Sequence, residues 1–321
     1  MKNTTRIFSN HPESTWKGEV VWSPLKSLWF LANLLITLFI APFYFSLSSL
    51  MVFLLLTGVT LCLGHSLGMH RLLIHRSYEC PLWMEYVFVY LGVLVGMAGP
   101  IGMLKQHDLR DWAQRQTQCH AYLLHGSSIL KDAWWQLNCD LRLTYPPTFT
   151  IEPRVIHSRF YQFIESTWPL QALLPALPLY LLGGLSWVIW GVCVRVVISV
   201  GGHWLVGYFA HNQGERTWFI EGAAVQGHNI RLAGFISMGE AWHNNHHAFP
   251  GSAMLGLHKN EPDPGWWVLN ALHNLGVVKN LVLPEHLPAR EELVVEANNL
   301  NSRVKRVPEE CEIANFIKRY S

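Results

Sequence analysis

The chain of 321 residues is 50% hydrophobic and only 14% charged, with a formal net charge of +2. Soluble globular proteins carry about a quarter charged residues, so this composition argues against an ordinary soluble domain, and the near-neutral charge argues against nucleic-acid binding. The six cysteines are scattered without a CxxC pair, which argues against a disulfide framework and a cysteine-based metal site.

The first predicted element is an apolar block, residues 28–63, that contains no charged residue. A membrane crossing needs about 20 apolar residues, so the block predicts two transmembrane helices, 28–45 and 47–66, with a tight turn between them. It begins too late and runs too long for a signal peptide.

A weaker apolar segment, residues 81–104, contains Glu85, several glycines and Pro100. We expect it to lie in the membrane interface or against the helical bundle instead of crossing. A second strong block, residues 168–210, is broken by two consecutive glycines, Gly183 and Gly184. It predicts another hairpin, with transmembrane helices at 168–183 and 185–206.

The predicted fold is therefore an all-α, polytopic membrane protein, a single domain over 1–321 with four transmembrane helices in two hairpins. An even number of crossings leaves residues 67–167 and 207–290 on one side as a histidine-rich helical cap. Most Lys and Arg residues also lie on that side, which the positive-inside rule makes cytoplasmic. The basic residues there suit anionic membrane lipids, and residues 291–321 resemble a peripheral tail.

The stretch GEAWHNNHHAFPG, residues 239–251, places three histidines within five residues: His243, His246 and His247. On a helix this spacing puts the imidazoles on one face. Ser237 and Glu240 have the spacing of a helix-capping box. Neutral imidazole is a common metal ligand, and three cationic rings on one turn would repel one another. The stretch therefore predicts a metal-binding face.

The other histidines, of seventeen in all, cluster where predicted transmembrane helices end, so they converge near one membrane face. A membrane metal transporter would instead place its ligands near the bilayer midplane. Several of these histidines also suit interfacial anchoring, and the sequence does not separate that role from metal binding. The residues that stay open between anchoring and metal binding, or are kept as reserve ligands, are His65, Cys119, His120, His125, His211 and His228. Arg195, inside the fourth predicted crossing, has no assigned role.

Four stretches, MHRLLIHRSYE, HDLRDW, VGGHWLVGY and GEAWHNNHHAFPG, occur in this order around two membrane hairpins. Together they resemble the membrane-bound fatty acyl desaturases of the stearoyl-CoA desaturase type, over roughly residues 20–275. By this resemblance, the HxxxxH box of the family matches His70 and His75, and its lone histidine after the fourth crossing matches His203. Its final HxxHH box matches His243, His246 and His247.

The middle box departs from the family pattern, because the family has HxxHH where this chain has His107, Arg110 and Asp111. The asparagine that the family places four residues before its lone histidine corresponds here to Ser199. Asp111 shares a helical face with His107, and a carboxylate is a good iron ligand. We therefore expect Asp111 among the metal ligands, with Arg110 and Ser199 as supporting residues. An ion pair of Asp111 with Arg110 or Arg115 is the alternative.

The resemblance implies O2-dependent desaturation of a long-chain acyl substrate by non-haem iron, with two iron ions in the family and the number here left open by the middle box. The acyl carrier could be CoA, acyl carrier protein or a lipid. Electrons would come from an external donor such as a ferredoxin or a cytochrome b5-like protein, because the sequence has no haem motif or iron–sulfur cysteines. The alternatives are a fatty acyl or lipid hydroxylase and a non-catalytic membrane iron-binding protein.

Overall fold

The computed structural model describes residues 6–295 and 305–306, and most of them are helical. The α-helices are α1 (Pro24–Phe39), α2 (Leu47–Val59), α3 (Leu82–Leu94), α4 (Pro100–Gln114), α5 (Ile129–Asn138), α6 (Pro153–Ile156), α7 (Arg159–Ser166), α8 (Trp168–Leu173), α9 (Ala176–Val188), α10 (Arg195–Asn212), α11 (His243–Ala248) and α12 (Pro264–Asn274). π-Helical segments, Thr60–Ile74 and Ile189–Val194, extend α2 and join α9 to α10.

Short antiparallel strands add to this helical frame, which the all-α prediction did not include. The strands are β1 (Ile7–Phe8), β2 (Gly18–Trp22), β3 (Cys139–Leu143), β4 (Thr148–Phe149), β5 (Trp218–Ile220), β6 (Leu293–Val295) and β7 (Lys305–Arg306). β1 pairs with β4, β2 with β3, and β5, β6 and β7 form a three-stranded sheet. The mainly helical prediction is confirmed, with these small sheets as additions.

Two helical stretches are long and apolar enough to cross a membrane by length and composition: Leu47–Ile74 and Ala176–Asn212. The second is interrupted at Gly184, whose backbone has φ +65° and ψ −162°. The chain reverses there, because a Cβ built on Gly191 would lie 2.8 Å from Leu179 Cδ1. In a straight helix the same two residues would be about 18 Å apart. The reversal occurs where the two consecutive glycines predicted it.

The turns of the two hairpins lie together at one end of the molecule. The Ser186 hydroxyl donates a hydrogen bond to the carbonyl oxygen of Tyr44 (2.7 Å), and the Trp190 indole donates to that of Ala41 (3.2 Å). The long helices extend from these turns toward the histidines. Between the two ends the helices expose large apolar side chains, among them Leu28, Leu35, Leu47, Leu55, Leu181 and Leu182.

Helix α3, from the weak apolar segment, packs against the π-helical Thr60–Ile74. The close approach depends on glycine, since a Cβ at Gly64 or Gly68 would overlap the α3 backbone at Gly92 or Phe88. Arg195, unassigned from sequence, is buried and donates to the carbonyl oxygen of Leu94 (2.6 Å), which ties α10 to the end of α3.

The C-terminal segment differs from the predicted peripheral tail at its beginning. Leu293 and Val294 are buried, and β6 pairs with β5. The reason is a short apolar run, LVV, that is long enough to add a strand to the sheet. The rest of the predicted tail, apart from the backbone of 305–306, lies outside the described residues.

Candidate metal centre

Four histidines from three separate elements converge into what we call the four-histidine cluster: His70, His75, His107 and His246. One ring nitrogen of each lies within 4.8 Å of one from every other member. His70 and His75 come from the π-helical segment and its end, His107 from α4, and His246 from α11. The structure thus brings together the first predicted box, the first histidine of the middle box and His246 of the last box.

The π-helical geometry explains the spacing of His70 and His75. In an α-helix, residues five apart are separated by about 140° around the axis and face different directions. Here the His75 backbone N–H donates to the carbonyl oxygen of His70 (3.0 Å), a five-residue hydrogen bond. The two rings therefore lie on one side of the segment, with centroids 4.7 Å apart. π-Helical turns are frequent at functional sites for this reason.

Asp111 faces the four-histidine cluster. Its carboxylate oxygen lies 3.7 Å from His246 Nε2 and 3.8 Å from His107 Nδ1, and the Arg115 guanidinium is 3.8 Å away. Burial alone would raise the pKa of Asp111, but His107 and His246 lower it well below its usual range. The carboxylate is therefore ionised beside two of the four imidazoles.

Arg110 does not support Asp111, which corrects the expectation from sequence. Its guanidinium donates instead to the carbonyl oxygen of Leu123 (3.0 Å) and to the Gln136 side chain (2.9 Å). Consecutive helical residues point about 100° apart, so Arg110 and Asp111 leave α4 in different directions. The sequence offered Arg115 as the other ion-pair partner, and Arg115 is the arginine near Asp111.

Glu240 lies beside the four-histidine cluster, whereas the sequence predicted that it belongs to a helix-capping box. Its carboxylate lies 2.7 Å from His70 Nδ1 and accepts a hydrogen bond from the Ser66 hydroxyl (2.6 Å). A carboxylate at Nδ1 fixes the ring and leaves Nε2 for a metal. The predicted capping box with Ser237 is wrong, because α11 begins at His243 and Glu240 turns toward a helix far away in sequence.

A second group, the three-histidine cluster, consists of His211, His243 and His247. The Nε2 atom of His243 lies 3.1 Å from that of His211 and 3.0 Å from that of His247. His211 Nδ1 is 2.7 Å from the carbonyl oxygen of Gly207, so Nε2 is directed at the group, where it also lies 3.2 Å from the Gln114 amide oxygen. The last box therefore divides: His246 serves one cluster, and the residues on either side of it serve the other.

Asparagines around α11 hold this short helix in place. The Asn244 side chain accepts from the backbone N–H groups of Thr217 and Trp218 and donates to the carbonyl oxygens of Trp218 and Gly227. The Asn229 side chain accepts from the N–H of Asn244 (2.9 Å) at the start of the helix. The sequence shows these asparagines between the histidines, but their partners are distant and could not be read from it.

His203 is not in either cluster, although the sequence placed it among the ligands. Its ring lies beside that of His65, with centroids 4.9 Å apart, and both line the same cavity. His211, eight residues or about two helical turns further along α10, lies in the three-histidine cluster instead. Ser199 is buried one turn before His203, and its hydroxyl has no hydrogen-bond partner among residues 6–295.

The four-histidine cluster fits a metal cation. Three of its ring nitrogens, His75 Nε2, His107 Nδ1 and His246 Nε2, are buried without a hydrogen-bond partner in the described part of the chain. Buried polar atoms are normally paired. Burial lowers the pKa of His107 to about 3 and that of His75 well below its usual range. The rings are thus neutral near pH 7, with lone pairs available, and four imidazoles plus a carboxylate suit iron.

A cavity of about 200 Å³ lies between the clusters and the helical bundle. One part of its wall consists of histidines from both clusters, and the other part is apolar. The apolar wall is formed by Trp29, Phe30, Met97, Met103, Trp168 and Val200.

Known relatives of the chain are acyl desaturases. The sn-1 stearoyl-lipid 9-desaturase of Anabaena variabilis is 33% identical over 274 residues, which cover 84% of this chain and 96% of the relative. The sn-2 palmitoyl-lipid 9-desaturase of a Nostoc species is 30% identical over 85% of this chain and 92% of its own length. The acyl-CoA C20 Delta5-desaturase of Anemone leveillei is 27% identical over 86% and 88%. The chain matches no protein-family model.

The fold and the two histidine clusters define a mainly helical protein whose candidate metal site lies beside a cavity with an apolar wall. Identity of 30% or more across most of both chains shows the family: the chain belongs to the fatty acid desaturases. The reaction of this family is O2-dependent desaturation of an acyl chain by non-haem iron, as the resemblance implied.

Proposed function

We propose that this chain desaturates a long-chain acyl group that is linked to a membrane lipid, using iron held by the two histidine clusters. One observation carries the proposal: unpaired, buried imidazole nitrogens of the four-histidine cluster lie beside a cavity with an apolar wall. Iron bound there would activate O2 for removal of two hydrogens from adjacent methylenes.

The proposed ligands of the first iron are His70, His75, His107 and His246, together with Asp111. Those of the second are His211, His243 and His247. This set keeps seven of the eight ligands expected from sequence and replaces His203 with His211.

The remaining residues orient the ligands and the substrate. Glu240 holds the ring of His70, so that its Nε2 is the ligand atom. The aromatic and methionine side chains of the cavity exclude water and hold methylenes by apolar contact. Such contacts fix the position of a chain that offers no hydrogen-bonding group near the reacting carbons.

The lipid-linked form is favoured over CoA or acyl carrier protein because relatives at 30% identity or more are named as desaturases of lipid-linked acyl chains. The runner-up carrier is CoA, since the relative at 27% identity is named as an acyl-CoA enzyme. Electrons would come from a separate donor such as a ferredoxin or a cytochrome b5-like protein. A second cavity, lined by Arg6, Arg76, Trp112 and Arg115, lies at His75 and gives such a donor an approach to the centre.

We also propose four crossings with the histidines on the cytoplasmic side, as an integral membrane protein. The two hairpin turns are at one end and the clusters at the other, which supports an even number of crossings. The stretch Leu47–Ile74 has 28 residues, about 40 Å of helix, whereas the hydrocarbon core is about 30 Å thick. Its last turns, with the ligands, therefore extend beyond the core.

The test is expression in a host whose own desaturation is blocked, followed by mass spectrometry of the fatty acids and lipids. We expect a new monounsaturated acyl chain with the wild type and none with His246→Ala. The matched control is His157→Ala, which removes an exposed histidine outside both clusters and should leave the product unchanged.

Labelled precursors identify the carrier. Membranes are given either glycerolipid or acyl-CoA that carries a labelled saturated chain. We expect the labelled monounsaturated chain to form sooner from the labelled glycerolipid than from the labelled acyl-CoA. A hydroxylated product, or bound iron without any new lipid, would overturn the proposed desaturation in favour of hydroxylation or of iron binding alone.

A further inference from the structure

The two clusters differ in the residues that complete them, and this inference rests on the proposed function. The four-histidine cluster has an ionised carboxylate, Asp111, beside its imidazoles. The three-histidine cluster has fewer imidazoles, all from α10 and α11. Gly207, four residues before His211, has no side chain that could add a donor.

Two side chains of α4 reach this second region, Gln114 and Arg110. The neutral Gln114 Oε1 lies 3.2 Å from His211 Nε2, so it offers an uncharged amide oxygen, whereas a positive charge comes from Arg110. Three acceptors hold its guanidinium: the carbonyl oxygen of Leu123, the Gln136 side chain, and His125 Nε2, which is 2.5 Å away. A guanidinium is permanently positive and has no lone pair for a metal. It is therefore fixed in the wall of the same cavity that the clusters line.

His125 brings this charge next to the three-histidine cluster. Its ring stacks on that of His211, with centroids 5.2 Å apart and planes within 18°. Its Nδ1 lies 2.8 Å from the buried Asp132 carboxylate, and its Nε2 faces Arg110. Both ring nitrogens are thus engaged, so His125 does not supply a fourth ligand while Arg110 is in place. A Cβ at Gly207 would be 3.4 Å from His125 Nε2, which shows that the His125 ring fills the space beside Gly207.

We infer that the three-histidine cluster is a weak, exchangeable iron site, whereas the four-histidine cluster binds iron tightly. Arg110 and Asp111 are neighbours in sequence, yet one places a cation by the weak site and the other places a carboxylate by the tight site. Loss of an outer-shell partner alone weakens metal binding about 10- to 100-fold. Fewer imidazoles, a neutral amide oxygen where the other cluster has a carboxylate, and a nearby cation should together separate the two affinities by more than about 100-fold.

Iron binding to the purified, metal-stripped protein in detergent tests the inference without any substitution. Fe(II) is added without oxygen, and the bound metal is measured after dialysis against a graded series of chelator concentrations. We expect one equivalent to resist the chelator and a second to be lost at low chelator concentration. Two equivalents lost together at one chelator concentration would overturn the inference. Absence of any tight equivalent would instead contradict the ligand set of the proposed function.

Substitutions show which cluster holds each of the two iron equivalents. Arg110→His removes the charge and offers an imidazole, so it should make the second equivalent resist the chelator. Lys105→His, on the exposed side of the same helix, is the matched control and should not. If Arg110→His fails to fold, His247→Ala still tests the inference: it should abolish the weak equivalent and leave the tight one. Loss of the tight equivalent in His247→Ala would overturn the assignment.

Discussion

Asp111 is the one carboxylate among the ligands proposed for the first iron. The family pattern has a histidine at this position, and here an ionised carboxylate faces two imidazoles at 3.7 and 3.8 Å. A carboxylate adds negative charge beside a bound cation and favours the more highly charged ferric state. With iron bound as proposed, the electron donor would need a lower reduction potential than a donor that serves an all-imidazole site.

Asp111→Ala should weaken iron binding at the tight site by at least about 10-fold and lower turnover with it, because the cluster loses its anionic ligand. Asp111→His should retain iron and give a higher reduction potential. Chelator competition and redox titration of the purified variants measure both effects. Wild-type iron affinity and activity in Asp111→Ala would show that the carboxylate only pairs with Arg115. Glu221→Gln, at an exposed position, controls for loss of one negative charge.

Spacing alone predicted a metal-binding face at His243, His246 and His247, because these residues share a face of an α-helix. His70, His75 and His107 came from the resemblance to the family, since residues five apart do not share such a face. His203 was placed among the ligands and His211 was kept only in reserve, since both lie on α10 and nothing local says how far that helix extends past the membrane. Glu240 was read as a cap because S-x-x-E is a valid local pattern. Its actual partner, His70, is brought near only by the fold.

At the scale of elements, the glycines of the first hairpin determine where the ligands lie. The π-helical segment carries His70 and packs closely on α3 through Gly64 and Gly68. The long apolar blocks predicted long apolar helices, and the glycine pair predicted the reversal at Gly184; the four crossings stay a prediction. A π-helix has no sequence pattern that distinguishes it from an α-helix. The short strands were also missed, because runs of two to five residues carry little periodic signal.

Gly68→Val should destabilise the protein and displace His70, since the added side chain would overlap the backbone at Phe88. Thermal unfolding in detergent and tight-site iron should both decrease. Gly58→Val is the matched control on the same hairpin arm, where a Cβ meets nothing within 4 Å. Equal melting temperatures for the two variants would mean that the contact between the π-helical Thr60–Ile74 and α3 adapts to a larger residue.

For the whole molecule, the buried histidines make the metal-free fold sensitive to acid. Burial lowers the pKa of His107 and of His247 to about 3, below the usual value of 6.5. The unfolded chain therefore binds more protons than the folded one between about pH 6.5 and 3, and stability falls as the pH is lowered through this range. Each such histidine contributes up to about 1.4 kcal/mol per pH unit.

The metal-stripped protein should accordingly melt at a lower temperature at pH 5 than at pH 7.5. A fluorescence melting curve at the two pH values in the same detergent measures this difference. A melting temperature that is equal or higher at pH 5 would show that these rings are not held neutral by the fold.

The arrangement of the hairpins leads to a prediction for the membrane-embedded protein. Both turns lie at the end opposite the clusters, so Phe43, 86% exposed at the first turn, should be on the side away from the cytoplasm. Gly126 and Glu221 are exposed, at the end of the molecule that holds the two clusters. Single cysteines at Gly126 and Glu221, in a cysteine-free background, should react with an impermeant reagent only from the cytoplasmic side. A cysteine at Phe43 should react only from the other side. Labelling of Gly126 and Glu221 from opposite sides would contradict four crossings and separate the residues around the two clusters, whereas labelling of both from the cytoplasm places the metal centre where a soluble electron donor can reach it.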